Sequence, residues 1–203
     1  MLAGAPPPPG ADESLGTAVA AACSALGARV WDCRLLGEES RCLEESAIDD
    51  LVERALSELG GIDLLVVDAA ALFSSSELRA PESRAPARDS LAVCLEASWN
   101  VTRAVVNRAF LAHDTPGRVV YLTPAPDAGA YAEAVRAGLE NLARTLSIEW
   151  ARFGITTVAI TPGTDTSAGD VAALTAYLAS PAGVYFSGCL LDLRGPAGTP
   201  GAI

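Results

Sequence analysis

Two apolar rhythms alternate along this chain. Short dense runs occur at Ala28–Leu35, Ile62–Val67, Arg118–Thr123, Ile155–Thr161 and Cys189–Leu193, and they read as strands. Between them, apolar residues recur at helical spacing. From Ser46 to Leu59, the residues Ile48, Leu51, Val52, Ala55, Leu56 and Leu59 share one face. Ser46 with Asp49 forms a candidate capping box for this helix, and Gly60-Gly61 ends it. Further helices are predicted from about Leu91 to His113, from about Tyr131 to Phe153 and from Asp170 to Ala179. Residues 72–89 are rich in Ser, Arg and Pro, and are predicted irregular. The run Ile62–Val67 is apolar on both faces, as expected of a strand covered from both sides. Strand and helix alternate, which predicts an α/β protein with a doubly wound parallel sheet and right-handed crossovers. No repeat or internal linker divides the 203 residues, so one domain is expected.

The N-terminus interrupts this pattern. Pro6-Pro-Pro-Pro9 has no N–H to give a ladder, so a central strand cannot contain it. The first strand is predicted to be a stub around Leu2 to Ala5, or lost. Residues 1–9 and the Gly/Pro-rich tail 195–203 are expected to be irregular.

Composition narrows the function classes. The chain is 50% hydrophobic and 19% charged, with 25 acidic against 14 basic residues and a formal net charge of −11. Such a surface repels nucleic acid and anionic membranes. No apolar run approaches the ~20 residues of a membrane helix, and no basic-then-apolar leader opens the chain. Cys23, Cys33, Cys42, Cys94 and Cys189 show no Cys-x-x-Cys spacing and read as reduced cytoplasmic thiols. His113 is the only histidine, so no metal site is expected.

The motifs that carry chemistry sit at the strand ends. Gly60-Gly-Ile-Asp-Leu-Leu-Val-Val67-Asp-Ala-Ala70, Gly117-Arg-Val-Val-Tyr-Leu-Thr123-Pro124, Phe153-Gly-Ile-Thr-Thr-Val-Ala-Ile-Thr-Pro-Gly163 and Ala179-Ser-Pro-Ala-Gly-Val-Tyr-Phe-Ser-Gly188-Cys-Leu-Leu-Asp192 occur in that order. They resemble strands four, five and six, the Pro-Gly turn and the C-terminal signature of short-chain dehydrogenases/reductases. Ala137-Gly138 resembles the Ala-Gly that follows that family's Tyr-x-x-x-Lys. The resemblance implies a three-layer Rossmann-like fold, NAD or NADP as cofactor, and a Ser-Tyr-Lys catalytic set.

Measured against that resemblance, the reactive positions have changed. The glycine loop falls at Pro9–Gly16, where Gly10 and Gly16 remain, Ser14 replaces the middle glycine, and Asp12 and Glu13 add charge unfavourable to a phosphate. The serine aligns with Pro124, beside Thr123. The tyrosine aligns with Ala132 and the lysine with Arg136, while the helix-four asparagine aligns with Cys94. Tyr131 stands one residue early, five from Arg136, or ~140° away around a helix. Thr164–Gly169 leads almost directly into the last helix, with little room for a substrate lid.

The expectation is therefore a family member without catalytic residues and without a cofactor. It would pair with an active paralogue, or with itself, through the helices at about 91–113 and 131–153 and the C-terminal strand. Val135, Leu139, Leu142 and Leu146 stripe the second helix; Trp99, Val105 and Phe110-Leu111 mark the first. Arg136 also has a plain role in a charge ladder with Glu133, Glu140 and Arg144. Alternatively, the chain is an active NAD(P)-dependent reductase of ketones or acyl thioesters. Thr123, Tyr131 and Arg136 would then be catalytic, and Gly10, Ser14, Gly16, Arg34 and Asp68 would hold the cofactor. A halohydrin-dehalogenase-like protein is a further alternative, because that branch also lacks the glycine loop and uses arginine for lysine. It keeps a serine and a tyrosine four residues before the arginine, which this chain lacks in register. A ligand-binding protein using the cleft near Asp68 and Thr123 is the last.

Overall fold

The five apolar runs become five parallel strands, and the N-terminal stub supplies a sixth. The chain is described by a computed structural model covering residues 1–5, 14–35, 44–79 and 86–195. The strands are β1 (Leu2–Gly4), β2 (Asp32–Arg34), β3 (Leu64–Asp68), β4 (Arg118–Leu122), β5 (Thr156–Thr161) and β6 (Leu190–Asp192). They form one all-parallel sheet in the order β2-β1-β3-β4-β5-β6. The helices are α1 (Leu15–Ala25), α2 (Glu45–Leu59), α3 (Ala69–Arg79), α4 (Pro86–Val105), α5 (Ala132–Glu149) and α6 (Ala168–Ala179).

Strand periodicity divides the core into two layers. Leu65, Val67, Val119, Tyr121 and Ala159 point to the side covered by α2, α3, α4 and α5. Val66, Val120, Leu122, Val158 and Ile160 point to the side covered by α1 and α6. The result is the three-layer α/β sandwich expected from the alternation. β1 is short, as the proline run requires, yet it occupies a central place between β2 and β3.

Three local expectations need correction. The segment 72–89 is helical over much of its length, in α3 and the start of α4; residues 80–85 lie outside the described residues. Helix α3 forms because Asp68 caps it: Ala71 N–H donates to Asp68 Oδ1 at 3.0 Å. The Ser46–Asp49 capping box is not made. The N-cap is Glu44, without a side-chain bond, and Asp49 Oδ2 instead accepts from Arg108 at 2.7 Å. A charge-assisted bond outcompetes the cap, and it holds the Asp49 carboxyl below the usual carboxylate range. Finally, the helix predicted to His113 leaves α geometry after Val105 and continues as a π-helical turn, Val106–Leu111.

The apolar stripe of α5 is consumed inside the subunit. Val135 and Leu139 are fully buried and Leu146 nearly so. Trp99 and Ile148 are the large apolar side chains that α4 and α5 leave exposed.

Candidate functional site

In open α/β sheets, ligands bind outside the carboxyl ends of the strands, where the strand order reverses. Here the reversal lies between β1 and β3. The crevice is bounded by the N-terminus of α1, the end of β3 at Asp68, the end of β4 at Thr123-Pro124, the turn Pro162-Gly163 and the start of α5.

Asp68 sits at the centre of this edge and is 2% exposed. Its Oδ1 caps α3, and its Oδ2 accepts from the Gly16 N–H in the first turn of α1 at 2.8 Å. One carboxylate thus serves two helix N-termini. Glycine at 16 is what permits the approach: a Cβ there would lie 2.6 Å from Asp68 Oδ2. The next amide of that turn is also taken, since Thr17 N–H donates to the N-cap Ser14 Oγ at 3.1 Å. Burial pushes the Asp68 pKa up, against the opposing pull of the Ala71 and Gly16 amides.

Each position named from sequence has a definite place. Ser14 is a helix cap and Gly16 a close-contact glycine in α1. Arg34 ends β2, but its side chain lies outside the described residues, as does Gly10. Thr123 is fully buried, and its hydroxyl is 3.0 Å from that of Thr161 on β5. That bond joins two strand ends and leaves Thr123 facing the interior. Ala132, at the tyrosine position, is fully buried in the first turn of α5. Tyr131 is the N-cap of α5, 43% exposed, with φ −117° and ψ 15°. It therefore stands outside the regular helix, and the five-residue spacing to Arg136 is not measured along one helix face.

Arg136 is 5% exposed. The expected charge ladder is present in two pairs, Arg136–Glu133 and Arg144–Glu140, each at 2.6 Å. Arg136 departs from a surface ladder in its burial, and its Nε has no partner among the described residues. Its charge also helps hold the Asp192 carboxyl below the usual range, after the larger effect of the Arg194 hydrogen bond. Cys94, at the asparagine position, is fully buried; its thiol donates to the Ala69 carbonyl at 3.4 Å, and burial pushes its pKa up to about 12. A thiol in that state is unreactive.

Sequence reasoning missed how the Pro-Gly turn is closed. Gly163 N–H donates to Thr166 Oγ1 at 2.8 Å, and that hydroxyl lies 3.2 Å from the Leu193 carbonyl beyond β6. Thr166 ties the turn to the C-terminal strand, where active family members would carry a lid. The double role of Asp68 was also missed. Its signal was an Asp placed directly before Ala69-Ala-Ala-Leu72, an N-cap followed by good helix formers.

In this fold a nicotinamide dinucleotide lies across this edge, its diphosphate at the first turn of α1. Its diphosphate needs free amides at the first turn of α1, and two of these are bonded internally. Among the described residues no cluster of His, Cys, Asp or Glu could hold a metal, and no helix is long and apolar enough to cross a membrane.

Comparison with known proteins agrees with the fold. A family model described as enoyl-(acyl carrier protein) reductase matches residues 10–170. Among curated proteins none matches the sequence. Similar solved structures include 2-keto-3-deoxy-D-gluconate dehydrogenase from Streptococcus agalactiae, at 20% identity and a TM-score of 0.69, over 95% of this chain and 91% of that one. A putative oxidoreductase from Escherichia coli K-12 has 20% identity and a TM-score of 0.71, over 94% of this chain and 93% of that one. At this identity the structures speak for the fold alone. With the family match spanning most of its length and the motif order set out above, this chain belongs to the short-chain dehydrogenase/reductase family.

Proposed function

We propose that this chain is a non-catalytic member of its family, which pairs with an active short-chain dehydrogenase/reductase subunit. The observation that carries the reading is Asp68: buried at this edge, its carboxyl takes an amide of the α1 first turn that a dinucleotide diphosphate would need. The replacement of the reactive tyrosine by buried Ala132 and the inward turn of Thr123 support it. The pairing half of the proposal rests on Trp99 and Ile148, which α4 and α5 leave exposed although the other large apolar residues described on these helices are buried or partly buried.

Two measurements test this reading. Fluorescence titration with NADH and NADPH should give no saturable binding up to millimolar nucleotide. Co-expression with an active paralogue should give one co-eluting species in size-exclusion chromatography, and Trp99→Glu should dissociate it. A saturable nucleotide site would remove the first half; a wild-type chain that elutes alone would remove the second.

One observation favours an active reductase instead. Tyr131 caps α5 from outside the helix and is half exposed, so its phenol is not confined to the wrong helical face. On that reading Tyr131 is the acid and Arg136 the neighbouring cation. The nucleotide titration distinguishes the two, because reduction by this chain needs the dinucleotide to bind.

A further inference from the structure

The opposite, amino-terminal edge of the sheet holds a cavity of about 570 Å³. It lies between the starts of β1, β3 and β4 and the C-terminal ends of α1, α2 and α6. It is therefore remote from the Asp68 crevice. Its volume falls within the roughly 300–1,000 Å³ of small-molecule sites. Leu2, Val19, Leu26, Leu64 and Val66 make an aliphatic wall, and the Cys23 thiol beside them is kept neutral because burial raises its pKa.

Two arginines line this cavity, in a chain whose net charge is −11. Arg118, at the start of β4, donates through Nη1 to the Ala179 carbonyl at the end of α6. Arg29 donates through Nη1 to the Leu59 carbonyl at 2.9 Å and through Nη2 to that of Glu58. These bonds fix both guanidinium groups without using all their donors, since an arginine has five N–H groups. Neither arginine has a carboxylate partner among the described residues. Asp63 also lines the cavity. The Met1 amine also lines it, but burial lowers its pKa to about 6, so it is mostly neutral at pH 7. Two positive side chains against one negative then leave a single net positive charge, which suits a monoanion better than a phosphate dianion.

We propose that this amino-edge cavity is a binding site for an aliphatic monocarboxylate, with the chain against the α1–α6 wall and the carboxylate at Arg118 and Arg29. The site is independent of the crevice and of the reading given above.

The test is isothermal titration of the full chain with decanoate, with decanol as the uncharged control. Nothing is fused ahead of Met1, because that residue lines the cavity. Decanoate should bind at one site per chain and more tightly than decanol. Arg118→Gln should weaken decanoate about ten-fold and leave decanol unchanged. Arg29→Gln repeats that test at the α2 side, in case Arg118→Gln loosens the end of α6. Ala176→Phe, on the cavity face of α6, should abolish both, and Ala20→Phe does the same from α1 if the first variant does not fold. Circular dichroism selects the folded variants. The proposal is overturned if folded wild-type chain shows no saturable decanoate binding, if decanol binds as tightly as decanoate, or if no folded variant alters the affinity.

Discussion

The two edges of this sheet are built on opposite plans. At the carboxyl edge, polar groups are numerous and satisfy one another: Asp68 holds Gly16 and Ala71, Thr123 meets Thr161, and Thr166 ties the Pro-Gly turn to the chain beyond β6. At the amino edge the walls are largely aliphatic, space is left, and two arginines are held by carbonyls, with no carboxylate partner among the described residues. In this family fold the carboxyl edge is where a ligand is expected. Among the described residues, the polar groups of that edge are bonded to one another, while a cavity of about 570 Å³ lies at the other end. Fold resemblance places a site by topology; the direction of each donor decides whether anything can enter it.

The largest effect expected from disturbing this contrast comes from filling the carboxyl edge. A Cβ at Gly16 would lie 2.6 Å from Asp68 Oδ2 and 3.3 Å from Leu2 Cδ2. Gly16→Val should cost ~3 kcal/mol in urea denaturation, the upper end of overpacking penalties. The matched change at the amino edge is Gly27→Ala, where nothing lies within 4 Å but φ is +86°. It should cost ~1 kcal/mol, from backbone strain alone. Equal costs would mean that the carboxyl edge has as much slack as the cavity.

Next in size is removal of the latch itself. Asp68→Ala leaves the amides of Gly16 and Ala71 without their acceptor. An orphaned buried donor costs ~1–3 kcal/mol, partly offset because a desolvated carboxylate is also removed. Hydrogen exchange should show faster exchange at Gly16 and Ala71 than at the amides of β4. Unchanged exchange at those two amides would show that Asp68 is not what holds α1 and α3.

A smaller effect tests the charge state of the same group. Burial raises the Asp68 pKa in the fold. A raised carboxyl pKa means the folded chain binds the proton more tightly than the unfolded chain, so its stabilising contribution is fully present below the unfolded value and declines as pH rises through the folded value. As pH rises above the ordinary carboxylate value of about 4, wild-type stability should fall relative to Asp68→Asn. The opposite slope would mean that the two amides and helix ends outweigh burial, and that Asp68 is held as a firm anion.

The long periodic segments were legible because one physical rule dominates each of them. Ile62–Val67 could only be a doubly covered strand, and Ser46–Leu59 could only be an amphipathic helix. Its cap was misplaced because Asp49 had a stronger suitor: Arg108 reaches it from the π-helical turn after α4, 59 positions away. Helix α3 was hidden by its run of serines, whose weak propensity is overridden by a buried N-cap. At the site, motif alignment located the changed positions. It could not see that Asp68 faces two helices, that Thr123 turns inward to Thr161, or that Tyr131 falls just outside α5, since each depends on a partner distant in sequence or on the residue at which a helix begins. The amino-edge cavity was invisible for the same reason, because its walls come from six separate elements.

The smallest expected effect concerns Arg136, and it separates the two functional readings most directly. The residue is 5% exposed, while its partner Glu133 has a side chain 65% exposed and therefore well screened. Its buried Nε has no partner among the described residues. A cation held so incompletely contributes little, and an apolar side chain of similar length can replace it at no cost or with a small gain. Arg136→Met should therefore leave stability unchanged or raise it by up to ~1 kcal/mol in thermal or urea unfolding. An active reductase makes a different demand, for there Arg136 stands beside the acid Tyr131 and the bound nucleotide. In that case Arg136→Met would abolish a nucleotide signal that the wild type gives. A loss of more than ~2 kcal/mol without any nucleotide effect would point to the Asp192–Arg194 pair, whose carboxylate Arg136 helps to keep ionised, as the reason a cation is kept under this edge.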